Sequence, residues 1–397
     1  MPEVYRMLKW MLTVAVLWAV VLHGAAQPVR LMSWNVLNMA ETSTDRFPHY
    51  RTVVVSLRPD ILVLQEVRGP LAAEMFRTTV LDGLPMGMAP FLGGPDTYNA
   101  LYYDTLVFAS LGTWAYATPV RNIDRFVLRH RLMGDTLHVL SVHLKSSTGT
   151  ANAAMRAREA DTLLKVIAAL PDAGCYVVCG DFNIYGSTEA AYQKLTTDPG
   201  NGRYFVDPEP LTGTWNAAAY APYHTQSPRT RSFGGGASGG MDDRFDMILH
   251  APLMHSWGPI TYNSNSTWAV GNDGEHYNDS VNRPPNASVS QAMADALHLA
   301  ADHLPVVASF TFNGTATVGT APALALRLWP NPTTGRLTVV RPSPAPAPAR
   351  VYDATGLLCL SIPVHGTTAL LDLSPLPNGL YTVWYSPIVG QLKRVCY

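Results

Sequence analysis

The chain has only 4 cysteines in 397 residues. So few cannot build a disulfide scaffold, and no Cys/His cluster falls at zinc-ligand spacing, which argues against a structural zinc. Net charge is equally small. The 28 Lys+Arg and 29 Asp+Glu leave -1, so no global field draws the chain to nucleic acid or an anionic membrane. A polyanionic substrate would need a bound metal and a few local cations to hold it. Long apolar runs are missing beyond the first 22 residues. The single run, Met11 to Leu22, follows the cationic Arg6 and Lys9 and precedes Gly24-Ala25-Ala26. Residues 1–26 therefore read as a secretory signal cleaved before Gln27. The run is short for a spanning helix, which takes about 20 apolar residues. The mature chain is expected to be exported, without a transmembrane span.

The remaining length suffices for two or three domains, the largest with a substantial core. Up to Asn313, apolar strands alternate with helical periodicity; beyond it come small residues and then short strands with turns. The expected organisation is a signal at 1–26, a main domain at 27–314, a linker at 315–323 and a small all-β domain at 324–397. The main domain centres on Tyr176-Val177-Val178-Cys179-Gly180-Asp181-Phe182-Asn183. A buried strand ending in Gly-Asp-x-Asn presents two oxygen ligands from a rigid edge, which suits a hard cation or a phosphate. The same residues are also common turn formers.

Other strands end in similar chemistry. Val29 to Leu37 carries Asn35, Ile61 to Val67 carries Glu66, and Thr136 to Lys145 places Leu137, Val139, Ser141 and His143 on one face. Met241 to Leu249 reads as a strand holding Asp246, and Asp302-His303 precedes a last strand, Val306 to Phe312. Helices are expected at Asp45 to Leu57, Leu71 to Val80, Asn152 to Leu170 and Glu189 to Leu195. Taken singly, each polar residue has a plainer reading. Asn35 would be a strand cap, Glu66 a first solvated residue, His143 a core histidine, Asp246 a solvent-facing position and Asp302-His303 a turn. Together they form an oxygen-rich set without thiols, which selects Mg²⁺ or Mn²⁺, with Ca²⁺ also possible, over zinc. Two histidines beside carboxylates add groups that move protons near neutral pH.

Their order along the chain carries a resemblance. Trp34-Asn35-Val36, Leu64-Gln65-Glu66-Val67, Ser141-Val142-His143-Leu144-Lys145-Ser146, Gly180-Asp181-Phe182-Asn183, Arg244-Phe245-Asp246-Met247-Ile248 and Asp302-His303-Leu304-Pro305-Val306 resemble the endonuclease/exonuclease/phosphatase superfamily, from Pro28 to Phe312. The resemblance implies a four-layer α/β/β/α sandwich and a metal-dependent phosphoester hydrolase. By it, Asn35 and Glu66 hold the principal divalent ion. Asp181, Asn183 and Asp302 orient the attacking water, the phosphate or a second ion. His303 is the general base steered by Asp246, and His143 contacts the phosphate or assists the leaving oxygen. Ala301 departs from the family's usual Ser before Asp-His and puts one supporting hydrogen bond in doubt.

Beyond the linker, Trp329-Pro330-Asn331-Pro332-Thr333-Thr334-Gly335, Tyr352-Asp353-Ala354-Thr355-Gly356, Leu376-Pro377-Asn378-Gly379-Leu380-Tyr381 and Lys393-Arg394-Val395 resemble the type IX secretion sorting domain. That implies an Ig-like β-sandwich, a Gram-negative source, the type IX machinery as partner, and release or anchoring at the outer surface. A monomer acting on nucleic acid is the leading expectation. A sphingomyelinase-like or inositol-phosphate phosphodiesterase and a non-catalytic binding module are the alternatives. Arg121, Arg125, Arg129 and Arg131 share one parity and form either a cationic stripe for a backbone or plain hairpin charge. Trp215, Tyr220, Tyr223 and Trp268 could supply an apolar rim for a lipid. The glycine run Gly234 to Gly240 is a cleft rim or, more commonly, a tolerated insertion. Tyr262 to Ser290 is a long excursion of open placement. Cys175 and Cys179 read as core thiols, and Cys359 and Cys396 could pair if their strands are neighbours.

Overall fold

The computed structural model describes residues 27–170, 174–255, 258–314, 327–330, 333–340, 347–353, 357–364, 368–385 and 388–394. The signal at 1–26 and the linker at 315–323 lie outside these residues. No described helix is long and apolar enough to cross a membrane. Backbone contacts divide the chain into two compact units, Met1–Ala316 and Thr317–Tyr397.

The first unit is a mixed α/β fold built on two sheets. Its elements run β1 (Gln27–Met39), α1 (Phe47–Leu57), β2 (Ile61–Val67), α2 (Pro70–Met75), β3 (Met86–Met88), β4 (Tyr98–Asp104), β5 (Phe108–Tyr116), β6 (Ile123–His130), β7 (Thr136–His143) and α3 (Thr150–Ala168). They continue with β8 (Cys175–Asp181), α4 (Ala190–Thr196), β9 (Asp246–His250), β10 (Ile260–Tyr262), β11 (Trp268–Ala269), α5 (Gln291–Ala300) and β12 (Val306–Phe312). The first sheet has the order β10-β12-β1-β2-β4-β3, with β11 also on β12; the second runs β5-β6-β7-β8-β9.

Period-two alternation sorts the strand residues into layers. Leu31 of β1 and Ile61 and Val63 of β2 join Val139 and Val177 of the second sheet in one core. Met32, Trp34, Leu62 and Leu64 face the opposite way, onto Phe47, Tyr50 and Val54 of α1 and Leu297 of α5. On the far side of the second sheet, Ala160, Leu163 and Ile167 of α3 complete the first core. The layers are helix, sheet, sheet, helix.

Two helices differ from expectation. The segment after Pro70 is six residues of α-helix followed by a π-turn at Phe76–Val80. Helix α5 was not foreseen. Its Ser290 side chain accepts from the Met293 amide as an N-cap, and its apolar stripe covers the first sheet. The strand expected from Met241 begins only at Asp246. Upstream, Asp243 pairs with Gln226 instead, and Thr225 Oγ1 accepts the amides of Phe245 and Asp246 at 3.1 Å each.

The second unit holds two antiparallel sheets. One orders β13 (Arg327–Trp329), β14 (Arg336–Val340) and β17 (Thr368–Asp372); the other orders β16 (Leu358–Val364), β15 (Ala347–Tyr352), β18 (Gly379–Tyr385) and β19 (Ile388–Arg394). Leu337, Val339 and Leu371 of the first share a core with Val351, Tyr381 and Val383 of the second. The expected pairing of Cys359 with Cys396 falls partly outside the described residues. β16, which carries Cys359, and β19, which runs toward Cys396, lie at opposite edges rather than side by side. Cys359 is a free thiol, and Cys396 lies outside the described residues. Cys175 and Cys179 are buried as expected.

Candidate active site

Strand register assembles three residues of the site without any loop. β7 and β8 run parallel with His143 opposite Asp181, and β8 and β9 run antiparallel with Asp181 opposite Asp246. Three chain-distant side chains thus form one row at the end of the second sheet. The row is tight because Gly180 precedes Asp181: a Cβ there would lie 2.0 Å from the Val142 carbonyl oxygen, and its φ is +134°. Only glycine lets β7 and β8 close at that point.

The first sheet supplies the opposing wall. Asn35 is opposite Gln65 in the parallel β1–β2 pair and, like Gln65, faces the second sheet. Its Nδ2 donates to Glu66 Oε1 at 3.0 Å and to Asp181 Oδ2 at 3.1 Å. Glu66, one step after Gln65, would face the helices by strict alternation. Its left-handed φ of 62° re-aims the carboxylate toward Asn35, and the Asn38 amide donates to its Oε2 at 2.8 Å. Asn183 also has a left-handed φ, 51°. Its amide N–H donates to Asp181 Oδ1 at 3.1 Å and its Nδ2 to the Leu144 carbonyl at 3.2 Å, so it braces the β7 and β8 ends.

His303 enters from the chain between α5 and β12. Its Nδ1 lies 2.7 Å from Asp246 Oδ2 and its Nε2 3.7 Å from Asp181 Oδ2. His143 approaches the same Asp181 oxygen from the other side, at 3.4 Å, with Glu66 Oε1 at 3.9 Å. Asp302, 4 % exposed, accepts the Ala237 amide on Oδ2 at 2.6 Å, while its Oδ1 is buried without a partner. All eight residues singled out from the sequence therefore meet at one end of the inter-sheet space. Asp246 is buried, not on the solvent face its strand position allowed.

Burial and charge act differently on the members. Burial alone would depress His303, but the carboxylates of Asp246 and Asp181 outweigh it and hold the imidazole well above its usual range. His143 goes the other way: burial, then the cationic Arg121 and His303, push it well below. The carboxylates at 3.4 and 3.9 Å favour a proton on His143, yet burial prevails, and its Nδ1 has no partner. Asp181 is pushed up to about 7, first by burial and then by Asp246 and Glu66, against the opposing pull of His303.

Several site residues had no sequence signal. Thr225 Oγ1 donates to Asp246 Oδ2 at 2.7 Å, and the Gln226 amide nitrogen lies 2.5 Å from His303 Nε2. Both sit in a loop without periodicity. Arg121 pairs with Asp96 at 2.8 Å beside the His143 carbonyl. The other members of the arginine stripe are engaged locally. Arg125 stacks on Trp114, Arg129 bonds the Gly134 carbonyl, and Arg131 bonds the carbonyls of Thr105 and Phe108. The stripe is hairpin chemistry, with Arg121 alone beside the site. Of the four aromatic residues, Trp215 is core, 1 % exposed, and Tyr220 packs on that core with its hydroxyl on the Thr212 carbonyl, whereas Tyr223 is half-buried and Trp268 is exposed.

Among the described residues, no three His, Cys, Asp or Glu side chains form a metal cage by themselves. The donor set here is two carboxylates, Glu66 and Asp181, with the Asn35 carboxamide between them. Asn35 Oδ1 accepts the Leu37 amide at 3.1 Å, which holds the carboxamide at this point. One or two carboxylates completed by water and substrate oxygens is the manner in which Mg²⁺ is usually held. Two carboxylates and a carboxamide converge at one point in a buried cleft, so the residues fit a divalent ion.

A mixed α/β fold of two packed sheets with this set of carboxylates and imidazoles at their ends defines a phosphoester hydrolase. The sequence matches the Endonuclease/Exonuclease/phosphatase family over residues 32–328, and the chain belongs to that family. Enzymes of the family typically use divalent metals. A search of curated protein sequences finds no match. Among solved structures, the chain is similar to D. rerio TDP2 complexed with a single-strand DNA product, at 15% identity, TM-score 0.48, over 72% of this chain and 99% of that one. It is also similar to the human Nocturnin catalytic domain with bound sulfate, at 18% identity and TM-score 0.47, over 72% and 93%. A third is an endonuclease/exonuclease/phosphatase from Bacteroides vulgatus, at 14% identity and TM-score 0.47, over 72% and 98%.

Proposed function

We propose that the chain is an exported, divalent-metal-dependent phosphodiesterase that hydrolyses nucleic acid. The observation that carries the reading is the His303 imidazole, held at Nδ1 by Asp246 and presenting Nε2 beside Asp181. Glu66, Asn35 and Asp181 would hold the ion. When bound, it would neutralise charge on the phosphoryl oxygens and offset the anionic field that keeps His303 protonated. His303 Nε2 then takes a proton from the attacking water, while Asp246 accepts the Nδ1–H bond and stabilises the imidazolium. Thr225 keeps Asp246 in that orientation. The Gln226 amide occupies the hydrogen-bonding position on Nε2 and yields it to the water. Asn183 keeps Asp181 aimed at the reacting centre, and Asp302 Oδ1 offers a free acceptor there. His143, neutral, contacts the phosphate through Nε2.

The substrate reading rests on the family and on the rim. Arg121 puts a guanidinium beside His143, suited to a phosphate next to the scissile one. Of the aromatic residues that would favour a lipid headgroup, Trp215 is core and Tyr220 is tied to the Thr212 carbonyl, while Trp268 is exposed. Export and sorting rest on the N-terminal and C-terminal motifs. The two-sheet second unit is consistent with an Ig-like type IX sorting domain that engages the secretion machinery and brings the protein to the cell surface or beyond.

The test is release of acid-soluble product from DNA and from RNA by the full chain, with Mg²⁺ and with EDTA. Metal-dependent release from either polymer supports the proposal. No release from both, with hydrolysis of sphingomyelin, would replace nucleic acid by phospholipid.

A further inference from the structure

The glycine run at Gly234 to Gly240 touches Asp302 at one point, Gly236–Ala237. The Ala237 amide donates to Asp302 Oδ2 at 2.6 Å, and the Ser227 hydroxyl donates to the Ala237 carbonyl at 3.1 Å. Arg229, 1 % exposed, donates through Nη1 to the Phe233 carbonyl at 3.0 Å. Its Nε and Nη2 donate to the His298 and Leu299 carbonyls, at 2.9 and 3.3 Å, in the last turn of α5. The Gly240 amide closes the loop on the Arg229 carbonyl at 2.9 Å. One buried guanidinium thus ties the loop to the helix whose end leads directly into Asp302 and His303.

Two neighbouring glycines differ in what they face. A Cβ on Gly236, whose φ is +83°, would lie 2.6 Å from Asp302 Oδ2 and 2.7 Å from Leu37 Cδ1. A Cβ on Gly235, whose φ is +85°, would meet nothing within 4 Å. Residue 301 is alanine, fully buried, and has no side-chain donor for its neighbour Asp302.

We infer that the Gly236–Ala237 segment is a positioning element of the active site. The Ala237 amide fixes the Asp302 carboxylate, and Gly236 lacks a side chain because that carboxylate occupies its place. The loop engages Oδ2 and leaves Oδ1, buried and unpartnered, for the reacting groups. Loss of the contact lets Asp302 turn and carries the adjacent His303 with it. The inference rests on the proposed phosphodiesterase reading of Asp302 and His303.

The experiment compares Gly236→Ala with Gly235→Ala in the full chain. Both place an L side chain on a left-handed backbone, so both carry similar strain; only the first reaches Asp302. Gly236→Ala is expected to lower kcat by about 10- to 100-fold, the scale of a small misplacement of reacting groups, with KM within about twofold of wild type. Gly235→Ala is expected to keep both constants near wild type. Equal kcat for the two variants would overturn the inference. Should Gly236→Ala not fold, Ser227→Ala frees the Ala237 carbonyl and slackens the donor to Asp302 without entering its space. It should lower kcat at unchanged KM, and wild-type kcat would overturn the inference. The His303 ring resonance reads the same point without turnover. Gly236→Ala should move it and Gly235→Ala should not; no movement in either overturns the inference. A wild-type chain that cleaves no phosphodiester contradicts the proposed function instead.

Discussion

His303 and His143 stand on either side of one Asp181 oxygen, at 3.7 and 3.4 Å, and both are nearly inaccessible to solvent. Their proton affinities nevertheless diverge in opposite directions. The difference comes from Asp246 and Asp181 acting on His303, and from burial with Arg121 acting on His143. His303 has Asp246 on Nδ1, and Asp246 is itself fixed by Thr225. His143 has no partner on Nδ1 and faces the Arg121 cation. An imidazole anchored at both nitrogens is built to move a proton, whereas one left neutral is built to touch a phosphate.

The comparison breaks most sharply at Asp246. Asp246→Ala should lower kcat by about 10²- to 10⁴-fold, because the base loses both its orientation and its counter-charge. The same phosphodiester assay should give a smaller loss for His143→Gln, about 10- to 100-fold. A larger loss for His143→Gln than for Asp246→Ala would reverse the two roles. The ion sharpens the comparison from the other wall of the cleft. At about 100 times its dissociation constant, Mg²⁺ should stabilise the fold by about 2.7 kcal/mol, seen as a raised melting midpoint. Glu66→Gln should largely remove that shift, and an undiminished shift would place the ion elsewhere.

The smallest effect lies behind the site. A buried chain of hydrogen bonds runs from Gln65 through Ser141 and Asn99 to Asp124, with links of 3.0, 2.9 and 2.8 Å. Burial pushes the Asp124 carboxyl up to about 6, against the Asn99 hydrogen bond. Its folded value lies above its unfolded one, so the folded state binds more protons across pH 4 to 6 and stability falls as pH rises through that window. Asp124→Asn removes this loss. Urea unfolding should find the variant more stable than wild type at pH 8 by on the order of 1–2 kcal/mol, with no gain at pH 4.

Much of the site was legible because strand ends announce themselves. Glu66, His143 and Asp181 stand at or next to the ends of apolar strands, Asn35 lies late in another, and register then forces the His143–Asp181–Asp246 row. What stayed hidden depends on tertiary closure. Nothing local marks Thr225 or Gln226, since their partners lie 20 to 80 residues downstream and they belong to no periodic element. The glycine run looked like a surface insertion because its purpose, leaving room for Asp302, is written in another segment. Helix α5 was obscured by the polar stretch that precedes it, which hid its cap at Ser290. The arginine parity and the loop aromatics misled for the same reason: parity fixes a face, but not whether a carbonyl, a ring or the core already engages the residue.

The central claim is that His303 performs the proton transfer, and one measurement addresses it directly. Wild type and His303→Ala are compared for acid-soluble product released from DNA and RNA at saturating Mg²⁺, with melting curves to confirm that both are folded. A drop of about 10²- to 10⁴-fold in kcat, with both proteins folded, is the predicted result. Turnover by folded His303→Ala at the wild-type rate would contradict the account.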